Sequence, residues 1–497
     1  MVDLVFFSHW SQIKSYGLIS RKLRQRHDHI RTTLWTTSKY DKEKGMDTGD
    51  FTNVVNMKPP SSDLEVTESK HKSNLKWAKN LEERVGSVFL KKDLSQDRYF
   101  QGNHYPENRD EQIPIQWNNK RLYAYLKSVT EKVTKRIRSG SVDIMWVEMN
   151  SAVYRVTRRI CQKNGIPALF YGRARMWGGR RGYLETENGF MWKECRDIYD
   201  KLMENEIPSH IRQKCAHRID DIRERKSQPN YHTAKDKGRK KLWRRINLRR
   251  FWKNLQYWWR CRKEPWEENP RHLPSHVSSP LGQIRRFFQS WSSEKIYRRA
   301  VCEDAKLDRP YAIYFLHVQP EVTVEAMSFE YQDQVATIRN LVAGLPADIP
   351  LYVKEHKPMV GRRTKRFYAE LAHIPGVVLV DDSIHSHTLI RKANVVLTLT
   401  GTVGLEAMVY GVPTIALGQV FYSHFRGVYN PGSIQEAQSL LNTPYELVGG
   451  SETDAIRMLA SIYYASSYIA WPPDMENKPK ATENLLDIVE QRVLETE

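Results

Sequence analysis

Cysteine is scarce in this chain. Five are present, Cys161, Cys195, Cys215, Cys261 and Cys302, with no CxxC pair and no metal-ligand spacing. An odd, scattered set argues against a disulfide framework or a zinc site and reads as reduced thiols. Long apolar runs are missing too. No stretch of about 18 apolar residues occurs, so no helix is expected to span a bilayer. The opening MVDLVFFSHW has neither a basic n-region nor a long apolar core, so no secretory signal is expected. No repeat of roughly 20–50 residues is visible beyond two α/β halves. Acidic residues are outnumbered: 58 Asp and Glu against 78 Lys and Arg give a net charge of +20. That excess points to an acidic partner: nucleic acid, an anionic membrane surface or a phosphorylated substrate. The 40% hydrophobic and 11% aromatic content argues against global disorder. At 497 residues, two or three domains are expected.

What is present is α/β order. Val2 to Phe7 reads as a buried strand, Gln12 to Gln25 as a helix, and Ile30 to Trp35 as a second strand. The pattern weakens from Asp41 to Asn118. It returns with a strand at Asp143 to Met149, a helix at Ser151 to Asn164 and a strand at Ala168 to Tyr171. Just beyond lies a Gly/Arg loop with Arg173, Arg175, Arg180 and Arg181. At a strand's carboxyl end such a loop suits an anionic substrate; a solvated basic loop is the plainer reading. Glu185 and Glu187 follow it and are the nearest carboxylates for acid–base or nucleophilic work.

Between residues 221 and 300 there are 22 Lys and Arg against 7 Asp and Glu, which supplies 15 of the +20 charges. Gly238 to Lys263 contains no acidic residue, and Leu248, Phe251, Trp252, Leu255, Trp258 and Trp259 fall at helical spacing. Aromatic rings on one face and cations on the other fit an interfacial membrane helix. The same face would also serve to dock on the protein itself, or the arginines to bind nucleic acid. Glu264 to Pro280 reads as a linker.

The second α/β half is clearer. Strands are expected at Tyr311 to Leu316, Leu351 to Glu355, Val377 to Val380, Val395 to Leu399 and Thr414 to Leu417. A helical stretch, Val324 to Ala343, and shorter helices alternate with them. Polar residues recur where the strands end: His317 to Gln319, Lys354 to His356, and Thr400 to Thr402. In a parallel sheet these ends share one edge and converge on one crevice. Thr400 and Gly401 form a turn into a helix, where backbone N–H groups suit a phosphate. Glu406 lies four residues after Thr402, one too many for a capping box. It is a candidate contact for a ribose diol, or a glutamate favoured by the helix dipole.

HVQPE (His317 to Glu321), Asp333-Gln334, VKEH (Val353 to His356) and TGTVGLEAMVYGVPTIALG (Thr400 to Gly418) resemble the capsular polysaccharide synthesis family. The resemblance implies a GT-B fold: two doubly wound Rossmann-like domains facing across a cleft, here with a basic helical insertion. It implies a glycosyltransferase of capsular or surface polysaccharide synthesis, of the kind that includes β-Kdo transferases using CMP-Kdo. Gln319 resembles the glutamine of the family's QP motif, and His356 the histidine of its HP motif. Thr402 and Glu406 match donor-site positions, with Lys354 and the Thr400–Gly401 turn beside them. Lys357 departs from the pattern, since proline follows the histidine in the family. No DxD pair is evident at a strand end, so neither an essential metal nor a cofactor is expected beyond the nucleotide-sugar donor. Arg173 and Arg175 are the candidate acceptor or anion contacts. The expected domains are 1–205, an insertion at 206–300, a donor domain at 301–430, and carboxyl-terminal helices at 431–497. The expected place is the inner face of the cell membrane, with a glycan or glycolipid acceptor and no nucleic acid. Polyol-phosphate transfer of the teichoic-acid type and a non-catalytic capsule assembly role stand as alternatives.

Overall fold

The computed structural model describes residues 1–8, 12–37, 39–97, 119–149, 151–172, 174–177, 183–185, 192–224, 252, 255–256, 259, 280–302, 305–319, 321–469 and 477–495. They form two compact units. The first draws its described residues from Met1–Gly102, Pro114–Trp192 and Tyr463–Glu497, and the second from Lys193–Ile462.

The first unit holds β1 (Val2–Phe7), β2 (Ile30–Thr36), β3 (Asn53–Asn56), β4 (Ile144–Val147), β5 (Ala168–Gly172) and β6 (Tyr183–Glu185). Their order is β3-β2-β1-β4-β5-β6. All pairs are parallel except β5 with β6. Every residue of β1 is buried, as expected of a parallel strand covered on both faces. The pleat sends Leu4 and Phe6 toward Ile13, Tyr16 and Ile19, and Val5 and Phe7 toward Leu126, Val129 and Val156.

The second unit holds β7 (Ala312–Phe315), β8 (Leu351–Lys354), β9 (Val377–Val380), β10 (Val395–Thr398), β11 (Thr414–Ala416) and β12 (Val428–Tyr429). Their order is β12-β11-β10-β7-β8-β9, with every pair parallel. Counted within each unit, both sheets run 3-2-1-4-5-6, the doubly wound order. The chain is thus α/β, with two doubly wound Rossmann-like units. The order reverses between β1 and β4 in one unit and between β7 and β10 in the other, which is where such sheets take ligands.

Several expectations need correction. The helical stretch Val324 to Ala343 is broken into Val322–Glu325, a 3-10 turn Phe329–Tyr331, and Gln334–Val342. Asp333 causes the restart: its carboxylate accepts from the N–H groups of Val335 and Ala336. The boundary at 205 moves as well, because the helices Lys193–Glu204 and Ser209–Arg223 both lie within the second unit. The carboxyl-terminal helices do not stand apart either. Pro479–Leu494 belongs to the first unit, where Leu485, Leu486, Val489 and Val493 join Ile13 and Tyr16 in one core cluster. Of the basic stretch 238–263, only 252, 255–256 and 259 are described, and these are helical. Among the described residues, no helix is long and apolar enough to cross a membrane.

Candidate functional site

The reversal point of the second sheet is tied together by one imidazole. His317 follows β7, and its Nε2 accepts the N–H of Thr400 at 3.2 Å. The same nitrogen lies 3.2 Å from Thr398 Oγ1 at the end of β10. Since a backbone N–H can only donate, Nε2 is unprotonated and the ring is neutral. Thr398 Oγ1 in turn accepts from the N–H of Gly401 at 3.0 Å. A Cβ at Gly401 would sit 2.7 Å from Thr398 Oγ1 and 3.2 Å from His317 Nε2. Glycine is therefore required there by close approach, not by backbone angle. Gly404 is similar, with a Cβ position 2.9 Å from the ring of the buried Tyr422. That tyrosine's hydroxyl donates to Gly401 O.

The expectation of a phosphate-binding turn is thereby narrowed. The N–H groups of Thr400 and Gly401 are both used inside the fold. Thr402 opens the helix Val403–Val409 without capping it through its side chain. Glu406, on that helix, places Oε2 3.4 Å from His387 Nε2. His387 Nδ1 lies 3.0 Å from the hydroxyl of Tyr410.

The end of β8 is organised by a buried charge pair. Glu355 and Arg363 have side chains 0% and 3% exposed, with Arg363 Nε 2.6 Å from Glu355 Oε2. The carboxylate also accepts from Tyr368 Oη at 2.9 Å and from the His356 N–H at 2.6 Å. The guanidinium donates to His317 O at 2.6 Å. One pair thus fixes the backbone at both histidines, and its lone pairs and protons are met by further hydrogen bonds, as buried charges require. His356 is half-buried, and burial pushes its pKa below the ordinary histidine value.

Two expected donor contacts sit elsewhere. Gln319 is 4% exposed. Its Nε2 donates to Gln332 O at 2.8 Å, and its Oε1 accepts from Gln334 Nε2 at 2.6 Å. That amide holds the loop after β7. Lys354 is 7% exposed, and its Nζ donates to the carbonyls of Asp381 and Asp382 at 3.4 and 3.3 Å. Burial pulls its pKa down to about 8. The lysine closes the end of β9 instead of reaching past the sheet edge.

In the first unit, Glu185 ends β6 opposite Phe170. Arg175 is half-buried, and its carbonyl accepts from the Trp177 N–H at 3.0 Å. Arg173 and Glu187 lie outside the described residues. The sheet edge there brings forward a different acid. Glu148 directly follows β4, and Tyr16 Oη donates to its Oε1 at 2.9 Å. Across the reversal point, Ser8 follows β1 and its hydroxyl donates to Gln12 Oε1 at 3.0 Å. Burial and the adjacent carboxylate raise the pKa of Tyr16 well above the ordinary phenol value. Sequence reading passed over Glu148, although its signal was visible: an acid one residue past a four-residue apolar run.

Residues 270–456 match the model of a family described as capsule polysaccharide biosynthesis protein. This span, under half of the chain, contains HVQPE, VKEH and the Thr400–Gly418 stretch, the motifs that carry the resemblance to that family. A search of curated proteins finds no match. Solved structures give looser likenesses. A β-Kdo 2,4 transferase, KpsC of Thermosulfurimonas dismutans, is 10% identical and covers 70% of this chain and 88% of its own, with a TM-score of 0.33. The β-Kdo 2,7 transferase of the same KpsC is 18% identical over 32% of this chain and 55% of its own, at 0.21. HepE of Anabaena, in complex with UDP and glucose, is 10% identical over 100% and 99% of the two chains, at 0.25. Scores this low carry no functional argument.

Proposed function

We propose that this protein is a glycosyltransferase of capsular or surface polysaccharide synthesis that draws its sugar from a nucleotide-activated donor. The observation that carries the reading is the network at the edge of the second sheet. His317, Glu355–His356 and Thr398–Gly401 are locked into one rigid set, within the span that matches the family.

On this reading the donor's phosphate lies against His356 and the Thr402 end of the short helix. His356 starts neutral and takes up a proton as the phosphate binds, and so stabilises the charge that grows on the leaving group. Glu406, steadied by His387, faces the ribose. The acid–base or nucleophilic carboxylate comes from the first unit. Glu148 is the preferred residue, because it stands at a sheet's reversal point and is oriented by Tyr16; Glu185 and Glu187 follow. Arg173 and Arg175 contact the acceptor, a glycan or glycolipid. The basic aromatic stretch 238–263 holds the enzyme on an anionic membrane surface. No metal or cofactor is assigned, and CMP-Kdo is the first donor to try.

The test is a transfer assay with CMP-Kdo, UDP-sugars and CDP-polyols on the wild type and Glu148→Gln. The reading expects one sugar donor to be turned over, with a loss of at least about 100-fold in the variant. Turnover of a CDP-polyol alone would move the assignment to polyol-phosphate transfer. Nucleotide binding without turnover of any donor would move it to a non-catalytic assembly role.

A further inference from the structure

Among the described residues, the helix Pro280–Ala300 buries one side. Gly282, Ser293 and Tyr297 are buried; Ser293 Oγ donates to Arg363 O, and Tyr297 packs at a tilt against Tyr368 with ring centroids 5.0 Å apart. The opposite side carries Leu281, Ile284, Phe288 and Trp291, which are 79%, 50%, 58% and 43% exposed. At 3.6 residues per turn these four fall within an arc of about 80°. Lys295 continues the stripe, its Nζ 5.5 Å from the Trp291 ring centroid. Arg285 and Arg299, both exposed, flank it. The helix holds five Lys and Arg against one acid, and that acid, Glu294, lies 3.9 Å from Arg298. In the preceding basic stretch, Trp252 and Trp259 are likewise 60% and 59% exposed.

A contiguous apolar stripe rimmed by charge marks an interaction surface. Nucleic acid would engage the cations but leave four large apolar side chains in water. A groove on a protein would take the apolar side chains but leaves the one-sided charge unexplained. An anionic bilayer satisfies both, because rings and aliphatic chains enter the headgroup boundary while ammonium and guanidinium groups meet lipid phosphates. We propose that Leu281, Ile284, Phe288 and Trp291, with Arg285, Lys295 and Arg299, form the membrane-docking face of this protein. This rests on the membrane part of the preceding reading and assigns it to a defined surface. Sequence periodicity hid that surface, since the buried side of the helix uses glycine and serine where a core face would normally be apolar.

Flotation of the full chain with phosphatidylserine–phosphatidylcholine vesicles tests it. Two variants are compared with the wild type: Leu281→Gln/Ile284→Gln/Phe288→Gln/Trp291→Gln, and Arg285→Glu/Lys295→Glu/Arg299→Glu. Each cation near the surface contributes about fivefold in partitioning. Both variants should therefore partition more than tenfold less well, with unchanged thermal melting because every altered side chain is exposed. Wild-type binding should collapse on pure phosphatidylcholine. A glutamine variant that floats like the wild type, while deletion of 238–263 abolishes flotation, overturns this face and leaves the membrane reading standing. A wild type that never floats overturns both. Oligonucleotide binding lost only in the glutamate variant would assign the face to nucleic acid and also overturn the proposal.

Discussion

At the edge of the first sheet, between β1 and β4, the polar groups are Ser8, Gln12 and Glu148, and the acid is held by the phenol of Tyr16. At the matching edge of the second sheet, between β7 and β10, the groups are His317, Thr398 and the backbone of Thr400 and Gly401. Two acids near that second edge have basic partners, Glu355 in Arg363 and Glu406 in His387. One strand order has thus been given two chemistries. The first edge keeps a carboxylate, which suits proton or nucleophilic work. The second holds Glu355 in a buried ion pair with Arg363.

The contrast can be broken most severely at the buried pair. Arg363→Met strands the Glu355 carboxylate and should cost about 3–5 kcal/mol in urea unfolding. Glu355→Gln added to it should recover much of that loss; no recovery would mean that Arg363 acts through packing alone. Gly401→Ala comes next. The added methyl must displace Thr398 or His317, for about 1–3 kcal/mol, and nucleotide affinity should fall with stability. Tyr16→Phe removes one hydrogen bond from the carboxylate of the first edge. Glu148 is half-buried and can take water instead, so about 1.5 kcal/mol is expected. Nucleotide binding should be unchanged, and a parallel loss of binding would merge the two edges into one site.

The smallest effect lies where the tail helix Pro479–Leu494 closes the first unit. Lys22 and Arg26 pair with Glu483, and Arg26 and His27 with Glu490. The hydrogen bond from Lys22 lowers the pKa of Glu483; burial raises that of Glu490, but His27 and Arg26 outweigh it and the net is also lowered. A depressed folded-state pKa gives stability that is present above the unfolded value, about 4.3 for glutamate. It is lost as the pH falls through the folded value. Unfolding free energy should therefore fall as the pH goes below about 4.3, by about 0.5 kcal/mol per pair, read as a lower melting temperature, and the drop should flatten in 1 M salt (about 3 Å screening length).

The central strands were legible because each is a short apolar run, such as AIYF in β7 and VVLT in β10. β3, β6 and β12 were not, being NVVN, YLE and VY, too short or too polar to announce themselves. Gly401 was legible as part of a turn, but not its reason, which is the approach of Thr398 and His317. Arg363 gave no signal at all. It lies in a polar loop, and its importance comes from partners just past the ends of β7 and β8, His317 and Glu355. The tail helix was visible as a helix, yet an amphipathic pattern does not name the surface it covers.

The central claim is that the edge of the second sheet holds a nucleotide phosphate through His356. Calorimetric titration of CMP, CDP and UDP into wild type and His356→Ala, across pH 5.5 to about 8 around the ordinary histidine pKa, tests it most directly. The account predicts that one nucleotide binds with proton uptake and tightens as the pH falls. In the variant the affinity should be at least about tenfold lower, a loss of roughly 1.4 kcal/mol, and the pH dependence should vanish. Binding that is equal in the two proteins, or absent for every nucleotide, would contradict it.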